Sequence, residues 1–298
     1  MSPWHIPFLQ AALGATIALA LETPAISVVF ARIGESAVVL RAPPGIHGVR
    51  WFRLSPDMSL HDNSIRIYPY LDSIRYTPTL VGTEDSLPAP TDSLGTRTYA
   101  WCRTDEICPW IRGFATAELP QSRLPDRATQ VAIRLDDSYP GILTELLQTP
   151  FVLLPRKVGT GHQTDLRIGS DCAALAAYGR RRMGEAVPYL GPRGLLSSLV
   201  SVARGDLRAG DILHYGAQVQ VVFEDRGRKG FPDGEDLVIE SWHPFPRIVR
   251  QDSSGWEDSP YRVMRFASDT GSNTAARALR DPVGLPLGTR RPARCDPK

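Results

Sequence analysis

Lysine is nearly missing from this chain: three of its 34 basic residues are lysines (Lys157, Lys229 and Lys298), a compositional bias without a functional reading of its own. Net charge is also small. Thirty-four Lys and Arg against 32 Asp and Glu leave +2 at pH 7, which excludes the strongly basic balance of a nucleic-acid binder that works by neutralising phosphates. No apolar run reaches about 18 residues, so no internal membrane span is expected. Glycine and proline (25 and 26 residues) follow no triplet period, which excludes collagen and points to a loop-rich protein. There is no Walker loop, and Gly159-Thr160-Gly161 lacks the third glycine of a dinucleotide fingerprint, so no cofactor is expected. What remains, 42% hydrophobic and 22% charged over 298 residues, suits one large or two modest globular domains and excludes a wholly disordered chain.

Residues 1–25 hold an apolar run from Phe8 to Leu21 interrupted by Gln10, Gly14 and Thr16. Its length suits the apolar core of a secretory signal, with small residues at Ala18, Ala20 and Ala25 for cleavage, and a buried N-terminal helix is the competing reading. Export predicts a periplasmic or extracellular, cell-envelope location, where cysteines oxidise. Cysteine is sparse, at four residues. Cys102 and Cys108 flank a short polar loop and could close a small disulfide ring. Without a second Cys or His pair they are no metal site. Cys295 stands in an Arg/Pro-rich tail, and Cys172 is left without an evident partner.

The fold class read from the sequence is α+β, with a small β-sandwich-like domain ahead of a domain that carries a cysteine helix on an antiparallel sheet. Residues 26–117 supply the first of these. Ser27–Phe30, Ala37–Arg41, Val49–Leu54, Ile65–Tyr68 and Thr96–Cys102 are short runs of β-formers divided by Gly34, Pro43-Pro44-Gly45 and Pro56-Asp57. Residues 118–130 read as a linker, 131–266 as the second domain, and 267–298 as a disordered or loosely docked tail. Ser138-Tyr139-Pro140 is a helix entry, with Ile142, Leu143, Leu146 and Leu147 on one face and Thr149-Pro150 as the stop.

Chemistry concentrates around Cys172. Ser170 or Asp171 can cap a helix that begins at Cys172 and ends at Gly184, with Arg180, Arg181 and Arg182 as its solvated end. A thiol in the first helical turn meets unpaired N–H groups and the positive end of the dipole, which favour the thiolate nucleophile. A small buried core cysteine is the alternative. Gly205–Gly216 leads from a polar turn into a strand, and further strands are expected at Ala217–Glu224, Asp236–His243 and Tyr261–Phe266.

This order resembles the NlpC/P60 branch of the papain-like cysteine peptidases. The matching pieces are Thr149-Pro150-Phe151, where the family has a threonine- or valine-proline-tyrosine step; Asp171-Cys172-Ala173-Ala174-Leu175, where it has aspartate-cysteine-serine-glycine-leucine; and Gly210-Asp211-Ile212-Leu213, its glycine-aspartate turn into the first core strand. The resemblance spans roughly Leu135 to Phe266. It implies a nucleophilic Cys172, a histidine base on the following strand and a polar residue orienting that histidine, acting on amide bonds such as those of cell-wall peptides. The family's histidine position, counted from Asp211, falls at Gln218, which cannot serve as a base at neutral pH. His243 and then His214 are the replacement candidates, with Gln218 as an oxyanion or orienting partner, and His162 is a loop residue. The resemblance thus implies an exported cysteine peptidase or amidase acting through Cys172. The alternative is a catalytically degenerate domain of the same kind that binds or scaffolds an envelope polymer.

Overall fold

The computed structural model describes residues 27–57, 75–108, 127–158, 161–242 and 244–270. The expected leader, the Ile65–Tyr68 strand, most of the linker, His243, Cys295 and the tail beyond 270 lie outside these residues. The described chain is α+β, with several sheets and few helices.

The first sheet has the order β1(Ser27–Arg32), β7(Ala128–Arg134), β6(Gly95–Arg103), β3(Val49–Asp57), β4(Arg75–Gly82). β1 pairs with β7 in parallel, and the other neighbours are antiparallel. Alternation along the strands divides its side chains. Val49, Trp51, Tyr99, Val131 and Ile133 face a two-stranded sheet of β2(Val38–Arg41) and β5(Ser86–Ala89), burying Leu40, Leu87 and Ala89. Phe52, Leu54, Ala100, Cys102 and Ala128 bury the opposite face together with Val152. Cys102 and Cys108 are joined in a disulfide. β4 sits at the sheet edge, where Pro78 removes a donor at least cost.

The boundary between the halves differs from the sequence reading. Residues 128–134 do not lead out of a linker into the second domain. They are a strand inserted between β1 and β6, because Val131 and Ile133 complete the first sheet's core.

After β7, helix α1(Tyr139–Leu143) starts at Ser138, whose hydroxyl accepts the Gly141 N–H at 3.1 Å, and passes into a 3₁₀ turn over Thr144–Leu146. The Cys helix, α2(Cys172–Arg182), is capped by Asp171, which accepts the Ala174 N–H at 2.8 Å. Gly184, at φ 90°, closes its end. Val219, Val221, Ile239 and Met264 of a six-stranded antiparallel sheet pack against α2. The strand order is β10(Leu199–Ser201), β15(Arg262–Phe266), β11(Ile212–His214), β12(Val219–Glu224), β13(Leu237–Glu240), β14(Arg247–Arg250), and β8(Lys157–Val158) and β9(Gly161–His162) form a separate antiparallel pair before α2. The end of α2 is solvated only in part: Arg181 is exposed and Arg182 half-buried. Arg180 is 2% exposed and lies between the Tyr139 and Phe266 rings at 4.1 and 4.6 Å. It pairs with Glu185 and with Asp269, so the start of the expected tail is docked.

Candidate functional site

Cys172 occupies the first turn of α2, where the sequence reading puts it. The chemistry around it differs from the thiolate expected there. The residue is 6% exposed and belongs to the core cluster beneath the second sheet. Burial pushes its thiol up, and the neighbouring Asp171 carboxylate adds to the rise. The backbone N–H groups of Val219 and Ala173, directed at the sulfur, pull the other way without reversing it. Asp171 is itself buried, and this drives its carboxyl from 3.8 up to about 6, against the hydrogen bonds from Ala174, Leu154 and Ala173.

Alternation in the second sheet puts Val219, Val221 and Ile239 on the face that covers Cys172 and turns Gln220 and Glu240 to the other face. β12 and β13 pair Val221 with Ile239, and one step further along Gln220 Nε2 donates to Glu240 Oε2 at 2.8 Å. The Ser241 hydroxyl donates to the Ser170 carbonyl at 3.0 Å, tying the end of β13 to the entry of the Cys helix. Gln218 lies just before β12. Its carbonyl accepts the Tyr215 N–H at 2.9 Å. Its side chain is 2% exposed, with a buried Nε2 that has no partner among the described residues.

Of the candidate histidines, the two among the described residues, His214 and His162, are committed elsewhere. His214 is 2% exposed. Its Nε2 donates to the Pro192 carbonyl at 2.8 Å, and its Nδ1 accepts the Gly216 N–H at 3.1 Å. Those two bonds fix the tautomer, and burial lowers its pKa against the bond to the Pro192 carbonyl, which raises it. His162 donates to the Pro155 carbonyl at 2.8 Å and stacks on Tyr189 at 3.7 Å. His243 lies outside the described residues, between Trp242 and Pro244. Among the described residues no three His, Cys, Asp or Glu side chains gather as a metal site.

A second feature was not read from the sequence. Glu240, wholly buried, accepts from Gln220 and from Arg247 Nε and Nη2 at 2.9 and 2.8 Å. Burial pushes its carboxyl up while those hydrogen bonds pull it down. Tyr215 joins through Gln220 Oε1 at 2.8 Å. Beside this network Tyr261, Tyr215, Trp256, Trp242 and Phe151 form a run of rings with centroids 5.3 to 6.5 Å apart. The sequence signal was the Gln218-Val219-Gln220 alternation, which puts amides on a strand where apolar residues would otherwise stand. Two open depressions of about 470 and 460 Å³ lie away from the thiol. One, at the far end of α2, is walled by Tyr139, Arg180, Arg208 and Phe223, and the other by Leu207, Phe231 and Val263.

No protein-family model matches the chain, and no curated protein matches it.

Proposed function

We propose that the second half of the chain is a divergent papain-like domain of the NlpC/P60 kind that keeps the cysteine helix and its facing sheet but no longer assembles a thiolate–imidazole pair. Its role is then a binding or scaffold module at the cell envelope, with a cell-wall peptide or other envelope polymer as its partner. The observation that carries this reading is the commitment of His214 to two backbone groups, with Gln218 at the position where the family keeps its base. The buried, upshifted thiol agrees with it. The envelope assignment rests on the apolar N-terminal run and on the resemblance. The Cys102–Cys108 disulfide suits an oxidising compartment, and no helix among the described residues is long and apolar enough to cross a membrane.

A second reading, a cysteine amidase with His243 as base, draws on the N–H groups of Val219 and Ala173 directed at the sulfur, since such groups can also hold an oxyanion. The two readings separate on the pH dependence of Cys172 alkylation by iodoacetamide in the native protein, followed on the Cys172 peptide by mass spectrometry. The module predicts no inflection below the free-thiol value of about 8.5. An inflection well below it that His243→Ala removes, and Cys172→Ala confirms as the right site, would establish the amidase.

A further inference from the structure

The depression at the far end of α2 is built around a buried cation that the Cys172 site does not use. Arg180, in the last turn of α2, is 2% exposed. The Tyr139 and Phe266 rings hold its guanidinium at 4.1 and 4.6 Å, so the fork is fixed in place by packing. Nη1 donates to Asp269 Oδ1 at 2.7 Å and Nη2 to Asp269 Oδ2, a two-oxygen grip on one carboxylate. Glu185 also accepts from Nη1, at 3.2 Å. Nε is buried and has no partner among the described residues.

Asp269 keeps this place without burying anything. It sits in the 3₁₀ turn Ala267–Thr270, none of whose residues is buried. Besides the grip on Arg180, the turn is tied down by polar contacts at the surface. The Ser268 hydroxyl donates to Glu185 Oε2 at 2.8 Å, and Arg208 Nη2 donates to the Asp269 carbonyl at 3.4 Å. Exposed contacts of this kind hold weakly, whereas the fork that receives the carboxylate is buried and rigid. The adjoining cavity of about 470 Å³ has Arg180, Arg208 and Asp269 on its wall beside Tyr139, Met183 and Phe223. That volume admits a small ligand.

The same residues set the ligand's chemistry. The fork already binds a planar, two-oxygen group. Asp136 and Glu224, also on the wall, disfavour a doubly charged phosphate. Tyr139, Met183 and Phe223 offer apolar surface to the rest of the molecule. We propose that this cavity binds a carboxylate carried on a small apolar body, as at the C-terminal end of a peptide. Arg180 takes both oxygens, Arg208 adds charge at the rim, and Asp269 is the internal carboxylate that the ligand displaces.

Isothermal titration calorimetry of the full chain tests this with N-acetyl-alanyl-alanine and with the same dipeptide as its C-terminal amide. An internal occupant competes at an effective concentration of about millimolar. Asp269→Asn, which keeps the size of the side chain but not its charge, should therefore bind the acid about tenfold more tightly than the parent. The amide should bind neither protein. Arg208→Gln, at an exposed position, should weaken acid binding about threefold. An Asp269→Asn variant that binds the acid no better than the parent would overturn the site, as would equal affinity for acid and amide. If Asp269→Asn does not fold, the parent decides. Acid binding that the amide lacks and Arg208→Gln weakens supports the site, and its absence at millimolar acid overturns it. The cavity lies away from the thiol and needs no envelope polymer, so a negative result here leaves the module reading standing.

Discussion

Asp171 holds the first turn of the Cys helix with a carboxylate that burial lifts from 3.8 to about 6. In the unfolded chain this group titrates near its ordinary value. Its contribution to stability is therefore fully present below about pH 4 and is lost as pH rises through 6, because the native state then holds a buried charge that the unfolded state keeps in water. Asparagine at this position still offers an oxygen to the Ala174 N–H and does not titrate. Comparing urea unfolding of the parent and Asp171→Asn should show the difference moving in favour of asparagine by about 2–3 kcal/mol between pH 4 and pH 7, as expected for a shift of roughly two pKa units. A difference that stays constant across that range would mean that Asp171 titrates normally. The same burial acts on Cys172, so position at a helix N-terminus does not by itself make a thiolate. Desolvation outweighs the N–H groups that face the sulfur.

At the scale of elements, α1 and α2 meet at Gly179. A β-carbon there would lie 2.6 Å from Leu143 Cδ2 and from Tyr139 Cε2, so the glycine allows two buried helices a close approach. Gly179→Ala should gain a little helix propensity and still destabilise the protein by about 1–3 kcal/mol through overpacking. An unchanged urea midpoint would show that α1 can shift at no cost. These helices were legible in the sequence because their signals are local. Ser138 ahead of Pro140 opens α1, and Asp171 two positions before Ala173 opens α2. β12 is legible by its alternation, and β11, β13 and β15 as the strands around it after the Cys helix. β7 alternates just as clearly, but its neighbours are β1 and β6, far away in the chain, and nothing local chooses between the two sheets. β4 was missed because Pro78 argues against a strand except at an edge. For the candidate site, the sequence carried Gln218 and Cys172 but not the role of His214. That role is set by the Pro192 carbonyl 22 positions earlier, a partner no spacing rule supplies.

At the scale of the whole molecule, the two sheets are joined through the body of the Cys helix. Glu145, wholly buried, accepts from Arg134 of β7 at 3.2 Å and from Arg182 of α2 at 3.0 Å, and the Tyr178 hydroxyl donates to it at 2.5 Å. Arg182 lies over the Phe30 ring of β1 at 3.8 Å, and Arg167 bridges Gln130 and Tyr178. Removing either sheet would strand this network, and buried charges without partners are costly. A functional test therefore belongs on the full chain.

The central claim is that this chain binds at the envelope without Cys172 chemistry, and the most direct measurement incubates the parent and Cys172→Ala with purified peptidoglycan sacculi. Co-sedimentation and soluble stem-peptide fragments are followed in the same samples. The account predicts that both proteins sediment with the sacculi to the same extent and that neither releases fragments. Fragment release by the parent that Cys172→Ala abolishes would contradict it.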